Sequence, residues 1–339
     1  MSASPDEADM QRDGTLPEDP RSGTRIVAAK VPRVLTVRQL LTSSRERAFM
    51  KRRASDVLTT GHYKLDDFTG GIRKGFSWLF GADTSFGKST WLVSVADENI
   101  KRGKKVLIVS SEDPEEIYGD RLMVRRARVD AKRHRDQRLE PEEMQRVLDV
   151  EQAAEPSPVY VDAARWNVEE LAPHLETIIR EQAIDLVAFD YIQEFKSGKR
   201  WQDERVKFRE IASVLRHLGK KAKVASILFS QLTLDQDTKI PTRRNIRECR
   251  DIANASEVIL IGFEPDADIL DKEKKVLVDA GTKCVLVDKV KNGPRGAKVP
   301  LLWSPDHACF DNVPDPYARP YDAEADALAD SFPDETRYP

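Results

Sequence analysis

Residues Gly81-Ala82-Asp83-Thr84-Ser85-Phe86-Gly87-Lys88-Ser89 end in the Gly87-Lys88-Ser89 that closes the pattern G-x-x-x-x-G-K-[ST], with Ala82 at the position of the pattern's first glycine and Gly81 one residue ahead of it. That pattern is the signature of a loop whose successive backbone N–H groups cradle phosphate oxygens. Just before it, Phe76-Ser-Trp-Leu-Phe80 reads as a buried strand, and just after it Thr90-Trp-Leu-Val-Ser-Val-Ala96 reads as the apolar start of a helix. The flanks separate a phosphate loop from an accidental Gly-rich turn, because the helix must aim the positive end of its dipole at the anion. Lys88 is expected on the β and γ phosphates, Ser89 on magnesium, and the segment from Gly81 through Thr90 around the nucleotide. ATP and Mg2+ are therefore the expected cofactors.

Beyond the loop, short apolar runs alternate with helical patterns: 105–110, 159–161, 186–190, 226–230, 258–261 and 284–288. Such alternation predicts βα crossovers and an α/β fold, a mainly parallel twisted sheet with helices on both faces. Residues 130–152 are highly charged and read as helical, and residues 264–282 read as a polar insertion. Val34 to Arg53 reads as an amphipathic linker helix carrying Leu35, Val37, Leu40 and Leu41.

The 339 residues carry a net charge of −3 that is unevenly placed. Residues 1–24 sum to −4 and 313–339 to −5, which leaves a body of +6 suited to a polyanion. The organisation expected is an acidic disordered tail at 1–33, a linker helix at 34–57, a catalytic domain at 58–312 and a second acidic disordered tail at 313–339. A mean hydropathy of −0.54, no apolar run of spanning length and no basic-then-apolar opening point to a cytoplasmic protein without a membrane segment. Cys249, Cys284 and Cys309 lack zinc or redox spacing and are expected as free buried thiols.

Hydrolysis requires more than a phosphate cradle. Leu186-Val-Ala-Phe-Asp190 is an apolar run ending in a carboxylate and is expected to supply Asp190 to magnesium. Glu112, just past the second strand, is the candidate to deprotonate water, with Asp113 as its competitor, and Gln231, at another strand end, is the candidate γ-phosphate sensor. In a doubly wound sheet these strand ends share the edge where ligands bind.

The ordered series Thr60-Gly-His-Tyr-Lys-Leu-Asp-Asp-Phe-Thr-Gly-Gly71, the phosphate loop, Ser110-Ser-Glu112, Phe189-Asp-Tyr-Ile-Gln193, Phe229-Ser-Gln-Leu232, Ile246-Arg-Glu-Cys-Arg-Asp-Ile252 and Lys289-Val-Lys-Asn-Gly293 resembles the RecA-like motor domain of DnaB-type replicative helicases. The resemblance runs from about Leu58 to Phe310. It implies a hexameric ring with ATP sites between subunits, central loops that grip single-stranded DNA, and a helicase loader or primase as partner. It assigns Glu112 as base, Asp190 to magnesium and Gln231 as sensor, and makes Lys289 and Lys291 the fingers that enter a neighbour's site. Two features depart from the family. Lys291 stands where an arginine is usual, so Arg295 and Arg250 are the candidates to substitute, and about fifty residues precede the motor where the family has a further domain.

Two basic segments follow the nucleotide-sensing strands and are expected to track a DNA backbone. Lys199 and Arg200 lie in the first; Arg243, Arg244, Arg247, Glu248 and Arg250 lie in the second, where Arg250 replaces a small residue. Trp201 reads as a packing anchor rather than a base-stacking residue. The rival readings are a recombinase-like or accessory ATPase, and a KaiC-like signalling or assembly ATPase indifferent to DNA.

Overall fold

A computed structural model describes residues 36–49, 57–234, 238–246, 250–270, 276–291 and 293–314. The chain divides into two units, Met1–Arg52 and Arg53–Pro339. The described part of the first is helix α1 (Val37–Phe49), opened by a reciprocal cap between Thr36 and Gln39. Val37, Leu40 and Leu41, spaced to share one helix face, are exposed. The tails expected at 1–33 and 313–339 lie outside the described residues, except for 313–314.

The second unit runs α2 (Tyr63–Thr69), β1 (Ser77–Ala82), α3 (Lys88–Lys101), β2 (Val106–Ser110), α4 (Glu115–Ala127), α5 (Ala131–Arg135), α6 (Pro141–Gln152), β3 (Tyr160–Asp162), α7 (Val168–Glu181), β4 (Leu186–Asp190), α8 (Glu204–Lys221), β5 (Ala225–Gln231), α9 (Arg250–Ala255), β6 (Val258–Phe263), β7 (Ile269–Leu270), β8 (Val276–Val278), β9 (Cys284–Val290), β10 (Lys298–Ser304) and β11 (Cys309–Asn312). Among the described residues, nine strands form one sheet in the order β11-β10-β9-β6-β1-β5-β4-β2-β3, with β7 and β8 as a separate hairpin. From β6 through β3 all pairings are parallel, as the alternation predicts. The β9, β10 and β11 strands instead add antiparallel to the β6 edge.

That antiparallel edge corrects the expected run of crossovers. Among the described residues no helix lies between β6 and β9, and the link from β9 to β10 is too short for a parallel return. Pro300 hides β10 from a reading of the sequence, because proline cannot donate to a ladder. It is tolerated because β10 changes partner there: residues 298–300 pair with β9 and residues 301–304 with β11.

Parallel strands are covered on both sides, and β1 shows how. All six of its residues are buried, with alternate side chains entering different cores. Leu79 packs with Leu175, Ile211 and Leu215 of α7 and α8. Trp78 and Phe80 share the opposite core with Trp91 and Leu92 of α3, Leu301 of β10 and Phe310 of β11. The strand extends to Ala82, so Gly81 and Ala82 belong to the sheet rather than to the free loop. Cys284 and Cys309 are buried free thiols, as their spacing predicts, and Cys249 lies outside the described residues.

Candidate nucleotide site

Parallel pairing lines up five strand ends along one edge. Ala82 stands opposite Gln231 and also opposite Gly262, while Ser110 stands opposite Asp190. A residue that closes any of these strands therefore faces the loop that follows β1. After β1, Thr84–Phe86 makes a single 3₁₀ turn, and Gly87, at φ 93° and ψ 45°, reverses the chain into α3. That left-handed conformation strains any residue carrying a Cβ, which is why the second motif glycine is needed. Phe86 seats the loop by stacking on Phe310 with ring centroids 5.4 Å apart, and by lying against Gly262, where a Cβ would come within 2.7 Å of its ring.

Lys88 opens α3 and is buried. Its Nζ lies 3.5 Å from Asp83 O and 5.5 Å from the Tyr191 ring centroid. Burial pushes its pKa down, opposed by the charges of Asp190, Glu112 and Asp83. Asp190 is only 1% exposed. Burial raises its pKa, while a 2.7 Å hydrogen bond donated by Tyr118 Oη to its Oδ2, the Ser89 hydroxyl and Lys88 hold it down. Its Oδ1 is buried without a hydrogen-bond partner. An orphaned carboxylate oxygen beside a serine hydroxyl suits a hard cation that keeps waters and takes its remaining ligands from phosphates. Ser89 and Asp190 therefore fit Mg2+.

The two candidate bases differ in what already holds them. Asp113 Oδ2 is 3.0 Å from Arg121 Nη1, and its backbone is fixed by Ser110 Oγ and Tyr160 Oη. Glu112 is exposed and makes no hydrogen bond or ion pair among the described residues. Partial burial raises its pKa, reinforced by Asp113 and Asp190 and opposed by Lys88. These influences show that Glu112 shares the electrostatic field of the loop while its carboxylate stays available.

Gln231 closes β5, and Gln193 connects it to Asp190. Gln193 sits in the turn just after β4; its Nε2 donates to Ser230 Oγ (2.9 Å), and its Oε1 accepts from Gln231 N (3.3 Å). Gln193 falls within one of the sequence motifs, but nothing there signals this role. Three other residues escape sequence reasoning outright. Tyr118 lies on an exposed-looking charged helix with no motif around it. Lys283, whose Nζ reaches Ser85 O (3.0 Å) and Glu264 (2.6 Å), comes from the far side of the polar insertion. Gly262, inside an apolar strand, announces no ligand.

Lys289 and Lys291 are not brought to this loop. Lys289 stands opposite Ile259, and Lys291 N donates to Glu257 O, near the Trp78 end of β1. That end lies about 13 Å along the strand from Ala82, at ~3.3 Å per residue. Among the expected DNA residues, Lys199, Arg200 and Arg244 are exposed. Trp201 is half-buried, its Nε1 donating to Ser197 Oγ (3.0 Å). Arg243 forms an ion pair with Asp288 at 2.8 Å. Arg247 and Glu248 lie outside the described residues, and Arg250 is the first residue of α9.

A phosphate loop, a buried carboxylate and a polar strand end on one edge of a mostly parallel sheet define a RecA-like P-loop ATPase fold. The profile of the DnaB-like helicase C terminal domain family matches residues 57–312, and the chain belongs to that family. Among curated relatives, the replicative DNA helicase DnaB of Haemophilus influenzae is 25% identical over 264 residues, covering 76% of this chain and 55% of its own. The chain thus spans about half the length of the curated relatives it matches. Two solved structures share the fold. One, described as an ATPase domain, matches with a TM-score of 0.72 at 20% identity, over 82% of this chain and 99% of its own. A DnaB-like replicative helicase, described with its interactions with primase, matches with a TM-score of 0.70 at 19% identity, over 84% and 68%.

Proposed function

We propose that this chain is the ATP-hydrolysing motor of a DnaB-type helicase, acting in DNA replication by translocating along single-stranded DNA as a hexameric ring. The observation that carries the reading is the division of the catalytic set. Lys88, Ser89, Glu112, Asp190 and Gln231 gather at one end of the parallel strands, while Lys289 on β9 and Lys291 just beyond it lie level with the opposite end of β6 and β1. Fingers so far from their own loop are suited to serve the loop of an adjacent subunit.

In this reading the loop from Gly81 to Thr90 binds ATP through its backbone N–H groups, and Lys88 neutralises charge on the β and γ phosphates. Mg2+, held by Ser89 and Asp190, would supply charge compensation across the phosphates. Glu112 takes the proton of the attacking water as the bond to the γ-phosphorus forms and the β–γ bridging bond breaks, releasing ADP and phosphate. A neighbour's Lys289 and Lys291 stabilise the equatorial oxygens in the transition state. Gln231 senses the γ phosphate and passes its state to the segments carrying Lys199, Arg200, Arg244, Arg247, Glu248 and Arg250 on the DNA backbone. Helix α1 serves as the linker that packs on the adjacent subunit, and a helicase loader or primase completes the assembly in the cytoplasm.

The test is ATP hydrolysis with and without single-stranded DNA at low and moderate salt. Stimulation that fades with salt is expected, because phosphate contacts release counterions. Hydrolysis indifferent to DNA at both salts would overturn the motor reading in favour of an assembly or signalling ATPase.

A further inference from the structure

Asp288 occupies an irregularity of the sheet. Along β6 and β9, Ile259 pairs with Lys289 and Leu260 with Val287, so Asp288 is the extra residue of a bulge. A bulge re-aims the side chain it carries. Here the Asp288 carboxylate meets the Arg243 guanidinium as an ion pair, with Nε 2.8 Å from Oδ2 but no aligned hydrogen bond to that oxygen, while Nη2 donates to Asp288 O at 3.5 Å. The Asp288 side chain is 10% exposed and that of Arg243 33%. A pair this withdrawn from water is screened less than one on the open surface.

Arg243 is presented to Asp288 by a braced turn. Thr242 and Asn245 cap the Arg243–Asn245 turn reciprocally. Asn245 then joins the turn to the end of β5: Thr233 N donates to Asn245 O (3.0 Å), and Asn245 Nδ2 donates to Thr233 O (3.3 Å). Thr233 is two residues beyond Gln231. On the other side of the pair, Lys289 follows Asp288 directly, and its Nζ lies 3.2 Å from Ala253 O of α9. After burial, the Arg243 charge is the largest influence lowering the Lys289 pKa. A continuous set of contacts therefore runs from Gln231 through Asn245, Arg243 and Asp288 to the strand that carries both finger lysines.

We propose that Arg243 is a positioning residue rather than a DNA contact, its ion pair with Asp288 coupling the γ-phosphate-sensing end of β5 to the Lys289 and Lys291 fingers that act on the next subunit. The inference rests on the motor reading above. It withdraws Arg243 from the DNA-binding set and leaves Lys199, Arg200 and Arg244 there.

The test compares wild type, Arg243→Gln, Asp288→Asn and the double variant for two quantities. One is single-stranded DNA affinity at two salt concentrations with a non-hydrolysable ATP analogue, and the other is DNA-stimulated kcat and KM for ATP. Each single variant is expected to lower stimulated kcat by about tenfold with KM for ATP held, and the double variant to lose no more than the worse single, as two halves of one interaction must. DNA affinity and its salt slope stay at the wild-type values in all three. An Arg243→Gln variant with weaker DNA binding and a salt slope smaller by about one, beside an Asp288→Asn variant with full stimulation, would overturn the inference and make Arg243 a phosphate contact. Additive losses in the double variant would overturn it as well. Wild type that neither binds nor responds to DNA would instead refute the motor reading, and the inference with it.

Discussion

Tyr118→Phe removes one oxygen from the site and leaves its packing intact. Tyr118 is 4% exposed, and its hydroxyl donates to the Oδ2 of a carboxylate that is itself 1% exposed. Against burial, which raises the Asp190 pKa, that hydrogen bond is the leading influence favouring the charged form, ahead of Ser89 and Lys88. A hydrogen bond to a charged group contributes about 1.5–3 kcal/mol, and the retained ring creates no cavity. At roughly 2–4 °C per kcal/mol for a domain of this size, the melting temperature should fall by about 3–12 °C near pH 8. The sign of the pH dependence follows from the same carboxylate. Its folded pKa lies above the unfolded value, so Asp190 opposes folding as pH rises through that interval. Losing the donor raises the folded pKa further and weakens chiefly the charged form. The gap between wild type and Tyr118→Phe should therefore narrow as pH is lowered from 8 to the most acid pH at which the protein stays folded. Thermal melts of the nucleotide-free protein at both pH values read this directly. A gap below 1 °C, or one that stays constant across the range, would refute the assignment of Tyr118 as the support of Asp190.

Glu112→Gln should retain ATP binding and lose turnover by about 10²–10⁴-fold. Asp113→Asn should lose mainly the brace to Arg121, so single-turnover rates that rank the two in the opposite order would move the base to Asp113. Gly262→Ala forces a methyl group to within 2.7–2.9 Å of the Phe86 ring. Overpacking of this kind costs about 1–3 kcal/mol, expected here as nucleotide affinity weakened several-fold with the sheet intact by circular dichroism. Unchanged affinity for a fluorescent ATP analogue would show that Phe86 does not seat the loop. Lys291→Ala mixed with Glu112→Gln subunits should recover part of the activity that each lacks alone, because a mixed ring contains interfaces with both groups intact. Activity that tracks only the wild-type fraction in parallel mixtures would place the fingers in their own subunit's site.

Local pattern was enough to reveal the phosphate loop, the strands that end at Asp190 and Gln231, and the α/β class. Each depends on short-range chemistry: glycines where backbone must approach phosphate, apolar runs where both faces are covered, and a polar residue where the cover ends. The antiparallel edge was not readable, because β10 carries a proline whose tolerance depends on which partner it pairs with at that residue. Tyr118, Gln193 and Lys283 could not be ranked for a related reason. Their neighbours on the chain are ordinary, and they become site residues only when strands and helices distant in sequence bring them to Asp190, Gln231 and Ser85. That Asp113 is already braced while Glu112 is not could be seen only from the position of Arg121 on α4, and the place of Arg243 only from the bulge that turns Asp288 toward it. The sequence by itself determined which groups can hold phosphate and move a proton, since residue type sets charge and hydrogen-bonding capacity. Only the tertiary structure decided which of those groups remain available, since a carboxylate or guanidinium neutralised by a packed partner has already used the interaction it would offer a ligand.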